Sequence, residues 1–210
     1  YTSTGDSVID AGGKNLWIHS SDGAAVTIID GEGVRRGINC VNGETNETIF
    51  EGLTITGGYA NQGGGMYVFV SDPTLIDCVF YSNTATSNGG GLFLKDDSTL
   101  TLSTCVFDSN TATNNGGGIF FDDCDGLPAV TTCIFVNNSS NRGGGVYSDW
   151  SNGLTFSGCM FESNIATDVG GGIYSYYSAA TLIDTVLCGN GPDQAYGPWN
   201  DDGGNSLSIE

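Results

Sequence analysis

Glycine triplets recur along this 210-residue chain at Gly63–Gly65, Gly89–Gly91, Gly116–Gly118, Gly143–Gly145 and Gly170–Gly172. The interval is 26 residues once and 27 thereafter. A fixed period of this size marks a stack of like units, each burying its apolar face against its neighbours. A second motif keeps the same beat: Cys-x-Phe-x-x-Asn begins at Cys78, Cys105, Cys133 and Cys159, and a degraded copy runs from Thr185 to Asn190. Upstream the beat weakens, with Leu53-Thr54-Ile55 aligned on Val26-Thr27-Ile28.

Within one period there is no stretch with helical periodicity. Short apolar runs such as Met66–Val70, Pro73–Ile76 and Cys78–Phe80 are instead bounded by Gly, Asn, Asp, Ser and Thr. Such runs read as strands separated by turns. Three strands per period predict an all-β fold, a right-handed parallel β-helix of about seven rungs of about 27 residues, with rungs about 4.8 Å apart. A propeller blade needs about 40–50 residues and does not fit. One domain covers 1–210, with irregular rungs over 1–58, regular repeats over 59–190 and an end segment over 191–210.

Alternation of side chains along a strand assigns the faces. Cys78, Cys105, Cys133 and Cys159 point inward, with Phe80, Phe107, Phe135 and Phe161 two residues on. Leu75, Leu102, Val130, Phe156 and Leu182 form another inward ladder, as do Met66, Leu92, Ile119, Val146 and Ile173. The asparagines Asn83, Asn110, Asn138, Asn164 and Asn190 stack at a turn, where their amides bond along the ladder. Lys95, Asp122 and Asp149 must reach water, so their parity faces out. That parity carries an aromatic column, Tyr67, Phe93, Phe120, Tyr147 and Tyr174, joined by Phe69 and Tyr176. It is expected to be an exposed strip that binds a ligand or partner, because aromatic rows beside acids stack sugars and make protein contacts. A second outward column, Val79, Val106, Ile134, Met160 and Val186, is expected to serve lateral association.

The residues carry a family resemblance. Phe-x-x-Asn four times, each followed by Gly-Gly-Gly and an aliphatic residue, resembles the repeats of polymorphic outer membrane proteins, with a third Gly where that family has Ala. The segment Gly52-Leu53-Thr54-Ile55-Thr56-Gly57-Gly58 is similar to right-handed parallel β-helix repeat proteins of environmental bacteria and some algae. The first resemblance implies an autotransported adhesin passenger.

Charge narrows the partners. The chain carries 24 acidic and 5 basic residues, a net −19, which repels nucleic acid and anionic membranes. No apolar run reaches 18 residues, so no membrane insertion by a helix is expected. The expected partner is another protein chain or a glycan, and the expected place is extracellular or at the cell surface, as a mature chain without its signal peptide.

Catalysis finds few residues. The only histidine is His19, and the elements Asn-Thr-Asp, Gly-His-Gly and Arg-x-Lys that resemblance to polygalacturonases would require are absent. Lys95, Asp122 and Asp149 on neighbouring rungs are the only acid–base constellation that can be built. The sequence therefore leans toward a non-catalytic structural, adhesive or assembly module, with a carbohydrate-binding or polysaccharide-degrading β-helix as the alternative. No cofactor is required; calcium is a candidate ligand for the turn acids Asp96, Asp97, Asp122, Asp123 and Asp125. Of the seven cysteines, the ladder members are expected to be reduced and unreactive, and Cys124, in an acidic loop, the most exposed.

Overall fold

A computed structural model describes residues 5–126 and 128–208; residues 1–4, 127, 209 and 210 lie outside the described set. The chain winds as a parallel solenoid of about seven turns. One turn shows the plan. Met66–Phe69 belongs to sheet 1, Thr74–Ile76 to sheet 2, Val79–Tyr81 to sheet 3 and Thr84–Asn88 to sheet 4. Sheets 1 to 3 have eight strands each and sheet 4 has five. The pairings between turns are parallel, as in Leu92 opposite Met66 and Ile119, and the register shifts only within sheet 4, after Ala85 and after Ser140.

Four strands per central turn, rather than the expected three, is a correction. Thr84-Ala85-Thr86 and its equivalents lie outside the three apolar runs of a period, yet they alternate: Ala85, Ala112, Ser140 and Ala166 are buried. Only small side chains fit inward there, so the strand lacks the apolar signature used to find the others.

The inward ladders are otherwise as expected. Phe80, Phe107, Phe135 and Phe161 are fully buried, and their rings stack at 4.5–5.1 Å with interplanar angles of 4–6°. Cys78, Cys105, Cys133 and Cys159 are buried free thiols. Cys124 overturns the expectation of an exposed thiol: it is buried, and desolvation pushes its pKa up to about 12. Its backbone N–H donates to Ser151 Oγ at 3.0 Å, so it occupies an inward turn ladder. The half-buried thiol is Cys188.

The asparagine ladder closes one corner. Asn110 Nδ2 donates to Asn138 Oδ1 at 3.0 Å and to the Phe80 carbonyl at 2.9 Å, and the Asn110 backbone N–H donates to the same Asn138 Oδ1. The pattern repeats from Asn83 to Asn164, and Gln194 terminates it by accepting from Asn190 Nδ2 at 2.6 Å. Each buried amide is thereby satisfied, the condition for placing Asn in a core.

One register differs from expectation in the first turn. Ile28 pairs with Thr54, and Ile29 with Ile55. Val26 and Ile28 are therefore exposed and Ile29 is the core residue. The offset is one residue shorter than the 27-residue beat, and a slip of one residue exchanges the faces.

Candidate functional site

Sheet 1 presents two outward columns, and the structure treats them differently. The aromatic column lies on the outer side of the sheet, as its parity requires, but it is not an exposed strip. Phe93 is 0% exposed, Phe120 and Tyr147 4%, and Tyr174 8%. The rings contact one another in series from Tyr67 to Tyr196 at centroid spacings of 4.8–5.4 Å, stacked at Tyr67–Phe93 and tilted or edge-on beyond it. They form a second apolar cluster outside the main core, against which Val169 packs. The burial follows from the glycines. Gly89 has φ +65, and a Cβ there would lie 2.8 Å from Phe93 Cβ; Gly116, Gly143 and Gly170 stand in the same relation to Phe120, Tyr147 and Tyr174. The chain thus leaves sheet 4 and folds back directly over the aromatic column. Arg36 closes the N-terminal end, its guanidinium 5.0 Å from the Tyr67 ring centroid and bonded to the Gln62 and Gly63 carbonyls. The expectation that Phe93, Phe120, Tyr147 and Tyr174 bind a partner therefore fails on access; Tyr67 and Phe69 remain half-buried and Tyr176 exposed.

The second column runs Phe69, Lys95, Asp122, Asp149, Tyr176 in register. Lys95 Nζ lies 2.9 Å from Asp122 and 3.2 Å from Asp96, and the hydrogen bond to Asp122 raises its pKa. Asp149 has no such partner. Its Oδ1 is shielded from solvent and accepts no hydrogen bond, and desolvation, then Asp122 and Asp123, hold the carboxyl above the usual carboxylate range.

The next residue of each turn forms a corner row, Val70, Asp96, Asp123, Trp150 and Tyr177, all with positive φ. The backbone N–H of Asp96, Asp123 and Trp150 donates to the carbonyl of Asp122, Asp149 and Tyr176 respectively, so the row is held in ladder register. A bulky aromatic in the left-handed region is uncommon. Here it swings the side chain away from the sheet. Trp150 is 55% exposed and Tyr177 57%, and their rings stack at 4.5 Å and 25°. Tyr176 joins edge-on to Tyr177 at 4.2 Å. Trp150, Tyr176 and Tyr177 thus make an exposed aromatic platform beside Asp149. The repeat alignment held the signal, since Trp150 and Tyr177 occupy positions 27 residues apart, but the corner itself could not be foreseen.

The other expected surfaces are placed as follows. Val79, Val106, Ile134 and Met160 face outward from sheet 3 and are half-buried, and Val186 is exposed. The turn acids do not converge on a cation. Among the described residues no three His, Cys, Asp or Glu side chains gather closely enough to hold a metal ion. Lys95 neutralises Asp96 and Asp122, while Asp125 accepts from the backbone N–H and side-chain amide of Asn152. In-register turns set the remaining carboxylates side by side along the axis rather than around a centre. His19 is exposed and stacks on Trp17 at 4.1 Å. Among the described residues no helix is long and apolar enough to cross a membrane.

Stacked parallel strands, a buried ladder core and a site on the outer side of sheet 1 define a β-helix repeat protein. The family model for the right-handed β-helix region matches residues 5–187, and the chain belongs to that family. No curated protein matches the chain, and no solved structure does.

Proposed function

We propose that this chain is a non-catalytic extracellular or cell-surface β-helix that acts as an adhesive module, holding a glycan through the Trp150–Tyr177–Tyr176 platform. The observation that carries this reading is the clustering of three exposed aromatic rings, with Tyr177 packed against both Trp150 and Tyr176, on a strongly acidic chain. Exposed aromatic groups of this kind cost free energy in water and usually mark a contact surface. Flat rings with carboxylates alongside suit a pyranose, which offers a C–H face for stacking and hydroxyls for hydrogen bonds.

The test is glycan-array binding of wild type against a Trp150→Ala/Tyr177→Ala double variant. The variant should lose binding ten-fold or more while keeping its β-sheet circular dichroism, since neither ring lies in the core. Equal binding by both proteins overturns the reading.

Asp122 and Asp149 favour a second reading, a glycoside hydrolase. Asp122 is paired with Lys95, while desolvation raises the pKa of Asp149, an asymmetry of the kind that separates a general acid from its partner. Release of reducing ends from any glycan that binds, lost in Asp149→Asn, would establish it.

A further inference from the structure

The platform does not stand alone on its ridge, and its surroundings say which glycan it suits. Tyr177 covers one face of the Trp150 indole. The equivalent corner of the preceding turn carries Asp123. Beside it stands Asp149, whose solvent-shielded Oδ1 has no hydrogen-bond donor. Asp149 as a residue is half-buried, with Asp122 and Asp123 as its charged neighbours, and a cation brought to this corner would offset their mutual repulsion. Lys95, in the same column as Asp149, is paired with Asp96 and Asp122.

Resting on the glycan reading above, we infer that the platform takes a chain of amino sugars bearing free ammonium groups, one pyranose stacking on the open face of Trp150 while its ammonium donates to Asp149 and Asp123. A neutral sugar would stack equally well but would leave Asp149 with a weaker donor. A polyuronate would meet the acidic corner and the net charge of −19 with like charge. A basic peptide could bring the same cation, but a lone ammonium over an exposed indole gains little. A pyranose covers the ring and presents its charge at the same time.

The experiment is calorimetric titration at pH 6 with four probes: a glucosamine hexamer, an N-acetylglucosamine hexamer, an oligogalacturonate and hexalysine. The proteins are wild type, Trp150→Ala, Asp149→Asn, Asp123→Asn and Asp22→Asn, the last removing an exposed charge from a distant loop. Asn is tolerated in the left-handed corner at 123, so that variant keeps the fold. Wild type should bind the glucosamine hexamer at least five-fold tighter than the N-acetyl hexamer and should not bind oligogalacturonate. Asp149→Asn and Asp123→Asn should each erase most of that preference, Asp22→Asn should keep it, and Trp150→Ala should abolish binding of both hexamers.

Equal affinity for the two hexamers overturns the ammonium selectivity and leaves the glycan reading standing. Failure to bind any saccharide removes both. An effect of Asp22→Asn as large as that of Asp149→Asn reduces the preference to diffuse charge attraction and overturns the site. Hexalysine binding as tightly, and as dependent on Trp150, overturns the amino-sugar class in favour of a basic peptide.

Discussion

Phe107 shows what one residue carries in a stacked core. Its ring lies face to face between Phe80 at 4.8 Å and Phe135 at 5.1 Å, and it is fully buried. Parallel stacking of identical rings is imposed by the register of sheet 3 rather than chosen by the rings, which would favour an offset or edge-on approach. The neighbours on either side are tethered to their own strands and cannot close over a gap. Phe107→Ala should therefore lower stability by about 3–5 kcal/mol, the cost of truncating a buried aromatic where the site cannot collapse. Urea denaturation followed by circular dichroism measures it, and an unchanged midpoint would show that the ladder is not the core. The same constraint explains Trp150 from the opposite side. A residue in the left-handed corner row cannot turn into the core, so a large apolar side chain placed there is left on the surface.

At the scale of the turn, each glycine of a triplet answers a different neighbour. In Gly116–Gly118 a Cβ on the first would meet Phe120 Cβ at 2.9 Å. On the second it would meet the Gly144 carbonyl oxygen at 2.4 Å, and on the third the Gly145 carbonyl oxygen at 2.5 Å and the Phe135 ring at 3.3 Å. The third position is the most informative, because the added methyl would meet both a backbone carbonyl and a core ring. Gly118→Ala should cost about 1–3 kcal/mol, as overpacking does in a close-packed interior. A thermal melt indistinguishable from wild type would mean the corner relaxes freely. The period, the Cys and Phe ladders and the Asn corner were legible in the sequence because in-register stacking repeats one environment at one interval. Sheet 4 was not, since Ala85 and Ser140 lack an apolar signal. Nor was the burial of Phe93 and Tyr147: parity gives the side of a sheet, but cover comes from a different part of the turn. Ile29 was missed because a single deleted residue in the first turn breaks the beat. Trp150 and Asp149 were each visible as residues, but their conjunction depends on the corner between sheets 1 and 2.

The stacking of turns also brings acids onto neighbouring rungs. With a net charge of −19, Asp96, Asp123 and their neighbours recur on adjacent turns, only about 5 Å apart along the axis. Like charges at that spacing repel, and salt screens them. Raising sodium chloride from 20 to 500 mM should therefore raise Tm at pH 7. Asp149 contributes a definite share with a definite sign. Desolvation, Asp122 and Asp123 raise its folded-state pKa, so the folded chain holds this proton to higher pH than the unfolded chain does. Stability linked to the group is complete below the unfolded value and is lost as pH rises through the folded one. At pH 7 the ionised carboxylate is then a liability, and Asp149→Asn relieves it. Because the group is partly exposed, the gain is modest, about 2 °C in Tm. The gain should shrink as pH falls toward 3, where wild-type Asp149 is already neutral, and the variant should show a weaker salt response than wild type. Scanning calorimetry at pH 3, 5 and 7 in both salts separates these outcomes. A variant less stable than wild type at pH 7 would show that Asp149 is held by a favourable contact, and would remove the electrostatic basis for a cation at the platform.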